Sequence, residues 1–197
     1  MHLTEVKVAA PPSEPGARVS KGSRAAETLG SSRPDEWQER LKGVVADRRV
    51  PVHLVGAGNP FRGDDAAGLE IVGMLRRRLG AAPAPGMRIH SASLLPERIL
   101  TKISRKRGRI VVFDAVEASK RPGEIVFCRM SETKHGFFAT HNVPLKLLPG
   151  LAGREDDIFL VGIQPASMDV REGLTEEVQR SVKKVASVVT EGVEARV

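Results

Sequence analysis

Val52-His53-Leu54-Val55-Gly56-Ala57-Gly58-Asn59-Pro60-Phe61-Arg62-Gly63-Asp64-Asp65 reads as an apolar strand that ends at Gly56, passes through a glycine turn and stops on an acidic helix start. Beyond it, Gly68, Ile71, Val72, Leu75 and Leu79 follow the spacing of a single apolar helix face. Strand, glycine turn and helix together form the unit that ordinarily holds a phosphate, because backbone N–H groups and the positive helix end favour an anion. Here the anion is supplied by the chain itself. A dinucleotide turn also needs a third glycine where this chain has Phe61, and a phosphate would meet Asp64 and Asp65 at close range. The turn is therefore read as a site for a cation.

The same alternation continues outward. An apolar stripe of Trp37, Leu41 and Val44 after Asp35 predicts a short helix. Further strands are expected over Met87 to Ala92, Arg109 to Val116, Glu124 to Met130 and Asp157 to Ile163. A loop and short helix are expected between Leu94 and Ile103, and a helix from Thr140 carrying Leu145, Leu147, Leu148 and Leu151. A last helix starts at Thr175 with Val178, Val182, Val185 and Val189 as its stripe. Strands alternating with helices imply an α/β sandwich with ligands beyond the C-terminal strand ends. Arg76-Arg77-Arg78 falls at a helix C-terminus, where cations suit the dipole.

Residues 1–34 are rich in Pro, Gly, Ser and Ala without a sustained period and are expected to form a flexible low-complexity extension ahead of a single domain over 35–197. The charge of +7, from 31 Lys and Arg against 24 Asp and Glu, suits an acidic partner or solubility alone. Aromatic residues make up 4% and Tyr is absent, which leaves little for a nucleic-acid surface built on stacking rings. Lys102, Arg105, Lys106, Arg107 and Arg109 precede the strand that ends at Asp114 and so lie at its opposite end, read as a solvated loop. Cys128 is the single cysteine, so neither an intramolecular disulfide nor a cysteine metal cluster can form. With no membrane-length apolar run and no secretory signal core, a cytoplasmic location without a membrane span is expected, and no nucleic-acid partner.

Three polar positions share one address: Asp65 past the first strand, Asp114 at the end of a central strand, and His141 at a helix start. Two carboxylates and an imidazole make a ligand set for a borderline divalent ion such as nickel or zinc, with positions left open for water or substrate. Taken singly, Asp65 also fits a helix-capping neighbour, Asp114 a turn residue and His141 a cap. Asp64 is expected to cap the helix and orient its neighbour, while Gly56 and Gly58 let backbone approach the cleft closely. His53 and His90 lie in strands and are read as packed side chains; His2 and His135 receive no role.

Gly56-Ala57-Gly58-Asn59 with Gly63-Asp64-Asp65 and Gly68, Val112-Phe113-Asp114-Ala115, Pro122-Gly123-Glu124, Thr140-His141-Asn142-Val143-Pro144-Leu145, and Gly162-Ile163-Gln164-Pro165 occur in the order found in the hydrogenase maturation endopeptidases. The chain resembles most closely the branch that processes hydrogenase-3-type nickel-iron enzymes, over about Val50 to Val189. The resemblance implies a three-layer α/β sandwich of the phosphorylase/hydrolase-like kind, with a twisted, mostly parallel sheet flanked by helices. It implies an endopeptidase that removes a C-terminal extension from the nickel-iron hydrogenase large-subunit precursor after nickel insertion. The family's metal positions fall on Asp65, Asp114 and His141, with Asp65 and Asp114 as the catalytic carboxylates and Gly56, Gly58, Asn59, Asp64 and Thr140 supporting the cleft. Nickel is expected to arrive with the substrate, and zinc or cadmium to be able to occupy the site in vitro. The alternative is a non-catalytic, metal-dependent docking protein for the same precursor.

Overall fold

The computed structural model describes residues 36–93, 96–132, 153–170 and 173–196. The 1–34 extension and the helix expected from Thr140 lie outside the described residues.

The opening stretch folds as its pattern dictates. Strand β1 (Val52–Ala57) is buried throughout and leads through the turn into a 3-10 segment at Gly63–Ala66, from which helix α2 (Ala67–Leu79) continues. Helix α1 (Glu36–Ala46) precedes it, burying Trp37, Leu41, Val44 and Val45. Strand β2 (Met87–Ala92), helix α3 (Pro96–Ser104), strand β3 (Arg109–Ala115), strand β4 (Ile125–Arg129), strand β5 (Ile158–Ile163) and helix α4 (Glu176–Glu194) follow.

The five strands form one sheet in the order β2-β1-β3-β5-β4, with β4 alone antiparallel. Near-continuous apolar runs in β1, β3 and β5 are explained by helices on both faces, which leave these strands no solvated side. On one face Trp37, Leu41, Ile71, Leu75, Val182 and Val189 from α1, α2 and α4 pack on Leu54, Val111, Phe113 and Val161. On the other, Leu100 and Ile103 of α3 pack with Val55, Val112 and Leu160. The C-terminus is pinned by Arg196, whose guanidinium donates to the carbonyls of Val45, Asp47, Val50 and Pro85, satisfying a buried cation with backbone oxygens.

The strand order sets the address of the site. The chain leaves β1 towards β2 on one side and returns to β3 on the other, so the crevice beyond the C-terminal ends of β1 and β3 is the topological switch point, where open α/β sheets bind ligands. The basic residues 102–109 sit at the other end of β3, away from this crevice; Arg109 there pairs with Asp47 at 2.8 Å.

Candidate active site

Two glycines bring helix and sheet together at the crevice. A Cβ on Gly56 would stand 2.2 Å from the Gly68 carbonyl oxygen, and a Cβ on Gly68 would stand 2.1 Å from that of Phe113 and 2.4 Å from that of Ala57. The first turn of α2 therefore lies directly on the backbones of β1 and β3. Gly56 serves this packing and not an approach to the cleft. Gly58 has φ +142°, and a Cβ there would be 2.0 Å from the Asp65 carbonyl oxygen. Asn59 closes the turn: its amide donates to the Asp65 carbonyl at 3.2 Å and its side chain accepts the Phe61 amide at 3.0 Å.

This turn delivers Asp65 to the same edge as Asp114, the penultimate residue of β3, and the 3-10 segment packs against that strand. Asp65 is 3% exposed and Asp114 1%, so neither carboxylate is a surface turn residue. The Ala115 amide donates to Asp114 Oδ1 at 2.9 Å, which orients the carboxylate at the strand end. His141 and Thr140 fall outside the described residues. Among the described residues no group of three His, Cys, Asp or Glu side chains is placed to hold a metal ion.

Asp64 has a different task from the capping role expected of it. Its fully buried carboxylate accepts the amides of Ala166 at 2.8 Å, Ser167 at 3.0 Å and Thr175 at 2.7 Å. The Thr175 hydroxyl also donates to it, at 3.0 and 2.9 Å. The 3-10 segment and α2 carry no side-chain cap, and Thr175 at the start of α4 makes none because its hydroxyl is turned to Asp64. Asp64 is thus the fastener between the first turn and the loop after β5, reinforced by Arg62 Nε donating to the Met168 carbonyl at 3.2 Å.

Sequence reading did not single out Gln164 and Glu117 as site residues, although Gln164 ends a quoted motif. The Gln164 amide group donates at 3.0 Å to both Glu117 oxygens, while its carbonyl oxygen accepts the amides of Ala118 at 2.8 Å and Lys120 at 3.3 Å. The loop that follows Asp114 is thereby organised from β5. The histidines expected to pack do so against each other: His53 Nδ1 and His90 Nε2 are 3.0 Å apart on neighbouring strands.

The model of the HycI family, hydrogenase maturation protease, matches residues 75–192. The chain belongs to the hydrogenase maturation protease family. The fold agrees with the crystal structure of the [NiFe] hydrogenase maturation protease HycI from Thermococcus kodakarensis KOD1, at 25% identity and TM-score 0.66, covering 79% of this chain and 99% of that one. It also agrees with the solution structure of the endopeptidase HycI from Escherichia coli, at 27% identity and TM-score 0.57, covering 70% and 87%. A chain of Methanocaldococcus jannaschii named "Putative hydrogenase maturation protease" is 28% identical over 149 residues, 72% of this chain and 96% of its own length. As a member of this family the chain is a peptide hydrolase of the endopeptidase class, with the mixed, mostly parallel sheet flanked by helices that its strand alternation predicts. No described helix is long and apolar enough to cross a membrane.

Proposed function

We propose that this endopeptidase removes a C-terminal extension from the large-subunit precursor of a nickel-iron hydrogenase after nickel insertion, and that it recognises the nickel carried by that precursor. The observation that supports this reading is the pair of buried carboxylates, Asp65 and Asp114, brought to one switch-point crevice by separate strands. The donor set fits a borderline divalent ion once an imidazole joins it, and His141 is the residue assigned to that place. Strand β4 runs antiparallel and ends at the edge opposite the crevice. The nine residue steps from Glu132 to His141 have a reach of up to about 30 Å, against the roughly 20 Å length of a six-residue strand.

The substrate-borne nickel docks between these three side chains, so that an unloaded precursor lacks its anchor. Hydrolysis needs a base to take the proton of the attacking water and an acid to return it to the departing amine. A carboxylate at this edge can do both in turn, and Asp65 and Asp114 are the two available. Asp64 and Gln164 do not touch the peptide; they hold the turn and the loop that carry the aspartates.

Mass spectrometry of a co-expressed precursor, with and without this chain, tests the reading. Loss of the extension is expected only with both nickel and the wild-type chain present. Asp65→Asn, Asp114→Asn and His141→Ala should each slow processing by about 100-fold or more. A stable complex with unchanged precursor mass would establish docking in place of cleavage, and equal processing of nickel-free precursor would remove nickel recognition from the mechanism.

A further inference from the structure

At the sheet edge opposite the aspartates, a cleft of about 490 Å³ opens between α1, the start of β3 and the end of β4. Four arginines line it, Arg40, Arg49, Arg109 and Arg129, against one acid, Asp47. We propose that this cleft is a binding site for a small phosphorylated anion, separate from the peptidase crevice.

The guanidinium groups of Arg40, Arg109 and Arg129 are held by rings and carboxylates, while Arg49 stands exposed at the rim. Phe127 and Phe159 stack at 5.9 Å between centroids, with Arg40 at 5.1 Å over the first ring and Arg129 at 5.3 Å over the second. Arg40 is further fixed by Glu132, whose two carboxylate oxygens both accept from Nη2 at 2.8 Å. Asp47 is shared by Arg49 and Arg109, each at 2.8 Å, so one carboxylate serves two cations. Arg129 is left with unmet capacity. Among the described residues its Nε is buried with no hydrogen-bond partner, and its Nη1 stands 3.9 Å from the Asp156 carboxylate. A phosphoryl group offers three acceptor oxygens and the negative charge that this excess of arginine lacks, in the geometry a guanidinium fork matches.

The wall facing these arginines is bare. Gly43 lies on the same face of α1 as Arg40, ahead of Asp47 just beyond the helix end, and a Cβ built on it meets no atom within 4 Å. Glycine inside a helix is unfavourable relative to alanine, and here no neighbour crowds the position. Its effect is to keep the cleft open. The volume lies in the range of small-ligand sites, which favours a compact anion over an extended acidic chain. Arg40, Gly43, Asp47 and Arg49 all precede the 75–192 span of the family match, so one wall is contributed from outside it.

Calorimetric titration of the full chain with inorganic pyrophosphate at about 150 mM salt tests the proposal, since nonspecific attraction is largely screened there. Saturable one-site binding is expected, weakened about tenfold or more by Arg129→Gln. Gly43→Met should weaken it at least as much by filling the cleft, while its melting temperature stays at or above that of the wild type; Lys106→Gln, outside the cleft, should leave it unchanged. Absence of saturable binding, or undiminished affinity in Gly43→Met, overturns the site. Tighter binding of citrate or of a glutamate-rich peptide than of pyrophosphate overturns the phosphoryl assignment.

Discussion

Asp64 and Thr175, 111 residues apart in the chain, are joined by three contacts: the Thr175 amide and hydroxyl both reach the Asp64 carboxylate, the shortest at 2.7 Å. Removing the acceptor strands buried donors that the fold has already taken out of water. Asp64→Ala should therefore destabilise the protein by about 2–4 kcal/mol in urea unfolding. Asp64→Asn should recover part of the loss, because an amide oxygen still accepts. Processing should fall with Asp64→Ala even at temperatures where the variant is folded, since the turn bearing Asp65 loses its anchor to the loop after β5.

A methyl group at Gly68 would collide with the carbonyl oxygens of Phe113 and Ala57. Backbone cannot rotate away as a side chain can. Gly68→Ala should cost about 2–3 kcal/mol, and at this chain length lower the melting temperature by roughly 4–12 °C. Gly73→Ala, in the same helix but with only the flexible end of Arg77 within 4 Å, is the control expected to be neutral or stabilising.

The fold's main lines were legible because they rest on local periodicity. The run Val52–Val55 and the stripe Ile71, Val72, Leu75 and Leu79 announce β1 and α2 without any knowledge of their partners. Asp65 and Asp114 were legible for a related reason, since a charged residue ending an apolar strand or following a glycine turn breaks a local pattern. Asp64 was misread because its partners, the amides of Ala166, Ser167 and Thr175, belong to backbone and leave no mark in the sequence. Gln164 was passed over likewise: a glutamine after an apolar run has many uses, and only the folded loop shows that it holds Ala118 and Lys120.

The histidine pair gives the protein an acid-sensitive point. Burial, then the neighbouring His53 and the cations Arg76, Lys106 and Lys102, push His90 down to about 4. Burial, then Lys106, Arg154 and Arg88, lower His53 in the same direction. Both groups bind protons more readily unfolded than folded, so their contribution is complete above about pH 6.5 and is lost as pH falls from there towards 4. Discounted for partial exposure, the loss should be of order 2 kcal/mol, read from urea midpoints at several pH values. His90→Gln should flatten that profile.

Burial raises the Cys128 thiol to about 12, with Glu132 adding to the effect. The thiolate needed for alkylation is therefore scarce at neutral pH. Iodoacetamide should leave the folded protein unmodified over hours and label it stoichiometrically in denaturant, as judged by intact mass. Fast labelling of the native chain would contradict the burial of Cys128 in β4.

The pairing of β1 with β3 gives the peptidase crevice a gauge that no side chain sets. Asp65 lies in the 3-10 segment beyond the turn that leaves one of these strands, Asp114 is the penultimate residue of the other, and the two strands are held at the ordinary hydrogen-bonding pitch of about 4.8 Å. That pitch is a property of every polypeptide. Leucine can be traded for isoleucine throughout the layers above and below it without altering the interval between the two strands. Relatives that share only about a quarter of their residues with this chain thus keep the same fold.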